Sequence, residues 1–386
     1  MPDTNKKYSI AVFLPSLEKG GAERRMVLCA IALKHRNYQV EVLVLRERGA
    51  FVKVLKNAGI MIRSVDKKGR FDMVGPAMRA RRIFKEQDYS AVLSCLPSAN
   101  VFSCLLKTVN SQTPLVWGLA AADMPMHDYG LWARFGAIAQ KRLSHFADKV
   151  IVNSYKGLQV ALGQSYEKQK MIVIHNGVDT AQFVLDKELG GKWCDHLNIP
   201  DESKVIGVVA RLDPAKGLET FLEAAELAQE KNWYFIIFAS GSSAYAEKLK
   251  AKIESHSLFG KRLFLLENIK VDSSVYNAFD VTTISSVSES FPNVMLESMA
   301  CGVPVIATNV GDCKKVLQQF GKTIPVNDSE AMFNAWQSQL KHELNSIGVE
   351  VMREYIRSEY SIQRMVSRFD SEVKTILKDH SRKLNK

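Results

Sequence analysis

Two glutamates stand eight positions apart in the segment SESFPNVMLESMACGVP. Glu289 precedes a proline and an asparagine, and Glu297 lies in the apolar run that follows. A carboxylate accepts hydrogen bonds from hydroxyl groups, whereas the N–H groups and positive dipole end at the start of a helix attract phosphate. A ligand with a central diphosphate and hydroxylated groups on both sides, such as a nucleotide sugar, would suit this combination.

The same segment contains the signals of a helix. We predict Ser290 as the N-cap, Pro292 in the first turn and an end at Gly302. Glu289 then lies in the loop between a strand and this helix, and Glu297 lies about 10 Å along the helix axis. The alternative interpretation is structural, with Glu289 favoured by the helix dipole and Glu297 simply solvated.

Two further segments carry groups suited to a diphosphate. In GVVARLDPAKGLETF, Arg211 ends a hydrophobic strand and Lys216 follows in the next loop, so two cations lie at one sheet edge. In LEKGGAER, Gly20 and Gly21 precede a helix, where a backbone without side chains can approach an anion. Taken alone, the segment with Arg211 and Lys216 could also be a basic surface loop. The glycine pair could also be an ordinary turn.

Positive charge is concentrated in the first half of the 386 residues. Residues 1–178 hold 27 Lys and Arg against 13 Asp and Glu, whereas the remainder holds 25 against 28. A basic half can meet an anionic membrane surface, an acidic substrate or nucleic acid, or it can be a merely soluble surface. No aromatic-interleaved basic motif supports nucleic acid. The six cysteines form no CxxC pair, and the opening residues lack a signal-peptide pattern, so we expect buried thiols in a reducing compartment.

Strand and helix patterns alternate along most of the chain. YSIAVFLPS, a glycine loop, a helix and QVEVLVL form a βαβ unit, and a second series starts near residue 203 with KVIGVVARL. Such alternation predicts α/β folding with parallel sheets covered on both faces. The two series predict two doubly wound domains with a cleft between them. Ligands bind at the carboxyl ends of parallel strands, so we expect the loops of both domains to meet at this cleft.

The motifs GGAER, HNGVD, VARLDPAKG and ESFPNVMLESMACGVPVIAT occur in this order. Together they resemble the retaining GT-B glycosyltransferases of family 4 (group 1), of the bacterial surface-polysaccharide type, whose hallmark is two glutamates separated by seven residues. The resemblance implies two Rossmann-like domains facing each other across a cleft. It assigns residues 1–178 to an acceptor domain, 179–355 to a nucleotide-sugar donor domain, and 356–386 to a helix crossing back to the first domain.

The resemblance also implies roles for single residues. Arg211 and Lys216 would hold the diphosphate, with Gly20 and Gly21 approaching it from the first domain. Glu297 would bind the ribose hydroxyls. Glu289 would bind and orient the donor sugar as a catalytic residue.

Other residues of the donor domain complete the implied site. Phe291, Asn293 and Val294 would direct backbone N–H groups toward the phosphate or the sugar. Asn268 and Ile269 match the region that holds the base.

The loop AAADMPMHDYG departs from the family pattern, because many relatives carry a functional His or Arg there. His127 is the candidate catalytic histidine of this loop, and Asp123 and Asp128 are candidate acceptor contacts. A lone histidine in a loop is more often simply solvated.

The function implied is transfer of a hexose or N-acetylhexosamine, with retention, from a nucleotide sugar to a saccharide or lipid-linked acceptor. We expect a UDP-linked donor, polysaccharide, lipopolysaccharide or glycolipid synthesis, no metal or other cofactor, and no nucleic acid partner. The expected location is the cytoplasmic face of an anionic membrane, bound peripherally. A nucleotide-sugar-binding protein without catalysis, or an epimerase of the same fold, is the alternative.

Overall fold

The computed structural model describes residues 8–69, 71–119 and 131–384. Two compact units divide the chain. Residues up to Asn176 and those from Gln363 onward form the first unit, and Gly177–Ile362 forms the second.

Parallel strands form the centre of the first unit. In chain order they are β1 (Ser9–Leu14), β2 (Gln39–Val44), β3 (Met61–Ser64), β4 (Ala91–Cys95), β5 (Leu115–Leu119), β6 (Lys149–Val152) and β7 (Met171–Val173). Across the sheet their order is β3-β2-β1-β4-β5-β6-β7, and each pair is parallel. The described helices between them are α1 (Gly21–His35), α2 (Phe51–Asn57), α3 (Val74–Glu86), α4 (Pro97–Ser103), α5 (Leu131–Leu143) and α6 (Tyr155–Gly163).

The second unit repeats this plan. Its strands are β8 (Lys204–Arg211), β9 (Trp233–Ser240), β10 (Leu263–Glu267), β11 (Val281–Ile284), β12 (Val305–Thr308) and β13 (Gly321–Ile324), in the parallel order β10-β9-β8-β11-β12-β13. Its helices are α7 (Lys187–His196), α8 (Leu218–Glu226), α9 (Ala244–Glu254), α10 (Ser273–Asn277), α11 (Asn293–Ala300), α12 (Cys313–Leu317), α13 (Ser329–Lys341) and α14 (Ser346–Tyr360).

Both sheets reverse their strand order at one place. In each sheet, the first three strands are added toward one edge, and the later strands are added toward the opposite edge. The reversal lies between β1 and β4 in the first unit and between β8 and β11 in the second. In open parallel sheets, ligands bind at the carboxyl ends of the strands beside this switch point. The fold thus directs attention to the loops that follow β8 and β11.

The last helix, α15 (Ile362–Leu384), packs on the first unit although it follows the second in the chain. Asp370 accepts a hydrogen bond from the Tyr38 hydroxyl at 2.9 Å and pairs with Arg36 at 3.1 Å. Arg368 donates to the Val173 carbonyl at 2.8 Å. The apolar side of this helix is buried, so hydrophobic burial and specific polar contacts together hold it in place.

The predicted strands YSIAVFLPS, QVEVLVL and KVIGVVARL are confirmed as β1, β2 and β8, whereas β3, β7 and β13 were not predicted. All three lie at sheet edges and have only three or four residues. An edge strand is partly exposed, so it lacks the continuous apolar run by which the buried strands are recognised.

The predicted start of the Glu297 helix is wrong. Pro292, with an extended backbone, is the N-cap of α11, and Ser290 lies outside the helix. Proline disfavours helical geometry at the residue before it, so Phe291 cannot join the first turn. Glu297 is therefore the fifth helical residue, about 6 Å along the axis. Gly302 follows the helix end with a φ of +79°, in agreement with the predicted stop.

The thiols are small buried groups, as expected: five of the six cysteines are buried and Cys194 is half-buried. Burial raises the pKa of the Cys301 and Cys313 thiols to about 12. Among the helices described, none combines the length and apolar character that crossing a membrane requires.

Adjacent glycines in α7 provide a test of the packing between α7 and α10. A Cβ on Gly190 would lie 2.2 Å from the Asn277 carbonyl, whereas a Cβ on Gly191 would meet nothing within 4 Å. We expect Gly190→Ala to lower the free energy of unfolding by about 1–3 kcal/mol, because two backbones must separate. Gly191→Ala should raise it by up to about 1 kcal/mol through helix propensity. Urea denaturation of both variants measures the difference, and equal effects would contradict the close approach.

Candidate functional site

The loop after β8 is shaped by two local devices. The Asp213 side chain caps a 3₁₀ turn at Pro214–Lys216, accepting from the Ala215 N–H at 3.0 Å. Gly217 then adopts a φ of +55°, and a Cβ there would lie 2.4 Å from the Ser285 carbonyl oxygen. This loop is therefore pressed against the segment that follows β11, across the switch point.

That contact brings together two residues predicted for different roles. The Lys216 ammonium donates to Glu289 Oε1, and the two side chains are 19% and 15% exposed. The Ser286 hydroxyl donates to the same carboxylate oxygen at 3.1 Å, and the Ser285 hydroxyl donates to the Lys216 carbonyl at 2.8 Å. An ion pair of such low exposure is screened less by salt than one in open solvent.

Arg211 lies at the carboxyl end of β8, as predicted, but its guanidinium is largely in solvent. Its side chain is 70% exposed and approaches Asp213 at 3.4 Å. An exposed pair of this kind contributes little to stability. The cation is therefore accessible at the sheet edge, with one carboxylate nearby.

Glu297 is buried in α11, with 8% of its surface exposed, which rules out the solvated interpretation. The hydroxyl of Tyr276, a fully buried residue of α10, donates to Glu297 Oε2 at 2.6 Å. A short hydrogen bond to a buried carboxylate fixes the position of its oxygens. Sequence reasoning did not identify this partner, because Tyr276 has the pattern of an ordinary core aromatic residue.

The residues around the start of α11 differ in exposure. Phe291 is buried and its ring centre lies 6.1 Å from that of Tyr360. Asn293 and Val294 are the first two residues of the helix, where backbone N–H groups lack partners within the helix itself.

The predicted base region follows β10. Asn268 has a φ of +57°, and its N–H donates to the Ala239 carbonyl at 3.0 Å. Ile269 is exposed over 37% of its surface. The turn thus presents an apolar side chain beside the end of β9.

The remaining predicted residues belong to the first unit. Gly20 is the extended N-cap of α1, which begins at Gly21, and a Cβ on Gly20 would lie 2.2 Å from Glu23 Oε2. Burial raises the pKa of the Glu23 carboxyl. The candidates His127, Asp123 and Asp128 lie outside the described residues.

Arg25, in α1, is a buried cation that the sequence analysis did not single out. It is 4% exposed, and its Nη2 lies 3.9 Å from the Cys95 sulfur. The guanidinium also lies 5.9 Å from the centre of the Phe369 ring, a cation–π contact. Its Nε and Nη1 have no hydrogen-bond partner among the described residues. The next residue after β4, Leu96, has a φ of +77°, which is strained for a leucine.

In the parts of the chain that the structure covers, no group of three His, Cys, Asp or Glu residues is arranged to hold a metal ion. The charged groups described at the ends of β8 and β11 are the Lys216–Glu289 pair, Arg211 and Asp213. Chemically, this set can bind an anion and orient hydroxyl groups.

Two glycosyltransferase family models match this chain. Residues 19–182 match the model of Glycosyltransferase Family 4, and residues 203–342 match that of Glycosyl transferases group 1. A glycosyltransferase from Rickettsia africae superposes with a TM-score of 0.81 at 21% identity, covering 96% of this chain and 99% of its own. The Anabaena protein HepE in complex with UDP superposes with a TM-score of 0.83 at 18% identity, covering 95% and 100%.

Curated relatives match over a shorter length. The D-inositol 3-phosphate glycosyltransferase of Mycolicibacterium gilvum is 27% identical over 50% of this chain and 42% of its own, and that of Corynebacterium jeikeium is 30% identical over 45% and 44%. The chain thus spans less than half the length of these relatives.

The predicted fold class is confirmed: the chain has the GT-B fold, with two Rossmann-like units. In chain order, the match to the Glycosyltransferase Family 4 model precedes the match to the Glycosyl transferases group 1 model.

Replacing Tyr276 tests whether its hydroxyl supports the buried carboxylate. Tyr276→Phe should lower the free energy of unfolding by about 1.5–3 kcal/mol, because the hydrogen bond goes to a charged group. Tyr166→Phe is the matched control, since that hydroxyl accepts from the neutral Gln140 amide at 3.0 Å and its loss should cost about 0.5–1.5 kcal/mol. Urea denaturation compares the two, and a smaller loss for Tyr276→Phe would contradict a charge-assisted bond.

Proposed function

We propose that this protein is a retaining, metal-independent glycosyltransferase. It moves a hexose or N-acetylhexosamine from a UDP-linked sugar to a saccharide or lipid-linked acceptor in polysaccharide, lipopolysaccharide or glycolipid synthesis. The observation that carries the proposal is the pairing of Lys216 with Glu289 at the switch point of the second unit, beside Arg211 and the start of α11. The matches to two glycosyltransferase domains support the same reaction class.

In this proposal the donor's diphosphate binds to Lys216, Arg211 and the first N–H groups of α11. Two cations and a helix start neutralise a diphosphate and stabilise it as a leaving group without a divalent ion. The ribose hydroxyls donate to Glu297, whose carboxylate is held by Tyr276. Phe291, Asn293 and Val294 line the phosphate or the sugar, and Asn268 and Ile269 hold the base.

Glu289 binds and orients the donor sugar. While no anion is present, its carboxylate is the counter-ion of Lys216. An incoming diphosphate competes for the ammonium group, and the carboxylate that loses this partner can accept hydrogen bonds from sugar hydroxyls. Binding of the phosphate and orientation of the sugar are thereby coupled.

The choice of uridine rests on structural relatives. HepE was crystallised with UDP, with UDP and glucose, and with UDP-glucose, so UDP-sugars are the first donors to test. The relatives named as D-inositol 3-phosphate glycosyltransferases have an anionic acceptor by name. The basic first half accords with a phosphorylated or lipid-linked acceptor at an anionic membrane surface.

In the first unit, we propose that Gly20 and Gly21 contribute backbone N–H groups to the diphosphate. His127 remains the proposed catalytic residue of its loop, with Asp123 and Asp128 as acceptor contacts. Retention of configuration follows the family resemblance, and nuclear magnetic resonance of the product's anomeric proton tests it.

A thermal-shift panel identifies the donor. UDP and UDP-sugars should raise the melting temperature more than GDP, ADP and their sugars. Ligand at about 100 times its dissociation constant adds about 2.7 kcal/mol to the free energy of unfolding. The shift should be unchanged by a chelator. A shift that disappears with chelator would refute metal independence, and equal shifts for all three bases would refute the preference for uridine.

Glu289→Gln separates the two roles of the carboxylate. Removing a negative charge beside the diphosphate should tighten UDP binding by about fivefold, the effect of about 1 kcal/mol. Transfer should fall by about 100-fold, because the sugar loses its orienting group. Glu343→Gln is the control, since Glu343 pairs with Lys204 at the opposite end of β8 and should leave both properties unchanged.

The outcome for Glu289→Gln also decides between classes of function. Tighter UDP binding with lost transfer supports a glycosyltransferase. Weaker UDP binding would contradict the proposed competition for Lys216. Wild-type protein that binds UDP-sugars but transfers to no saccharide or lipid-linked acceptor would favour a binding protein.

A further inference from the structure

Large apolar side chains are exposed at and just before helix α3 in the first unit. Phe71 is 78% exposed, Met73 46%, Val74 74% and Met78 68%. Val74 is the first residue of the helix and Met78 lies one turn later on the same side. This concentration in eight consecutive residues differs from the scattered single apolar residues that are normal on protein surfaces.

The opposite face of α3 already anchors the helix. Its residues Pro76, Ala80, Ile83 and Phe84 are buried, and the last three belong to the core of the first unit. Packing against the core therefore accounts for the apolar residues on the buried face of α3 but not for those on its outward face. An ordinary surface helix carries polar residues on its outward face, so Val74 and Met78 need another explanation.

Basic residues continue the outward face toward the end of the helix. Arg81 lies three residues after Met78, and Lys85 lies four residues after Arg81. Both side chains are exposed. We call Phe71, Val74, Met78, Arg81 and Lys85 the α3 stripe.

The stretch of sequence that contains the α3 stripe is also basic. Residues 61–86 contain eight Lys and Arg against three Asp and Glu, a net charge of +5. The stripe is therefore apolar at one end and cationic at the other, within a positively charged region.

We propose that the α3 stripe docks on an anionic lipid bilayer, with its apolar end entering the interfacial region and its basic end meeting acidic headgroups. A helix that combines exposed apolar residues with Lys and Arg lies in the plane of such an interface. Basic residues near an anionic surface each add to binding. A second copy of the chain is disfavoured as the occupant, because two regions of charge +5 would repel each other.

This inference rests on the proposed function for its biological meaning, since it gives the membrane partner of that enzyme a defined contact surface. The binding of the chain to lipid does not depend on the donor or on catalysis. Its test is therefore separate from the tests of the transfer reaction.

Co-sedimentation of the full chain with vesicles provides the measurement. Vesicles of phosphatidylcholine are compared with vesicles in which about a third of the lipid is phosphatidylglycerol, at ionic strengths from about 0.05 to 0.5 M. The wild-type protein should bind the anionic vesicles at least about tenfold more tightly, and the advantage should shrink as salt rises.

The basic end is tested by Arg81→Gln with Lys85→Gln. Affinity for anionic vesicles should fall by about 25-fold, about fivefold for each charge. The control is Lys192→Gln with Lys261→Gln, which removes the same charge from two exposed positions of the second unit. This control should retain wild-type binding.

The apolar end is tested by Phe71→Ser, Val74→Ser and Met78→Ser combined. Binding to anionic vesicles should fall by about tenfold or more at every salt concentration, because the lost term is burial of apolar surface. The control is Ile347→Ser with Val351→Ser, two apolar side chains of α14 that are 72% and 50% exposed. Surface substitutions of this kind change stability little, so all variants should fold.

Equal binding to neutral and anionic vesicles would overturn the proposal, as would equal losses in the stripe variants and their controls. Sedimentation equilibrium adds one more outcome. If the wild type forms dimers that the apolar triple variant does not form, the stripe is a contact between copies and not a lipid surface. The UDP thermal shift should be the same in all variants, so a failure here is distinguishable from a failure of the donor proposal.

Discussion

All strands in both sheets pair in parallel, so every connection must return to the sheet's starting edge through a crossover. The loops that follow the strands are thereby collected at the carboxyl edge. This constraint brings Lys216, which follows β8, next to Glu289, which follows β11, although 73 residues separate them. The reversal of strand order between β8 and β11 leaves room between their loops. The charged groups meet there because of chain topology, and the short loops then fix their orientation.

The ion pair at this edge sets the electrostatic character of the site. Lys216 and Glu289 are each largely removed from water, so each depends on the other for charge compensation. Two serine hydroxyls fix the carboxylate and the loop carbonyl, while Arg211 stays exposed beside them. An anion entering here meets one cation that is accessible and one that is already paired. In the proposed donor site, the affinity for a diphosphate would then depend on how well it replaces Glu289 as the partner of Lys216.

Much of this arrangement could be predicted from the sequence, because the interior strands have continuous apolar runs and the Arg211, Lys216 and Glu289 positions follow strand ends. The short edge strands β3, β7 and β13 could not, because three or four partly exposed residues carry too little pattern. The start of α11 was misplaced because proline acts on the residue before it as well as on its own position. Tyr276 and Arg25 were missed for a common reason. The partners of these buried polar groups lie in other segments of the chain, so the spacing of residues within one segment does not reveal them.

The position of α15 affects how the first unit can be made. Six of its apolar residues are buried: Met365, Val366, Phe369, Val373, Ile376 and Leu377. The ribosome delivers them only after the whole second unit has been synthesised, because N-terminal residues emerge first. Until then the apolar surface that these residues cover stays exposed on the first unit, together with the Tyr38 and Arg36 groups that later bind Asp370. Completion of the first unit must therefore wait until the second unit has been synthesised.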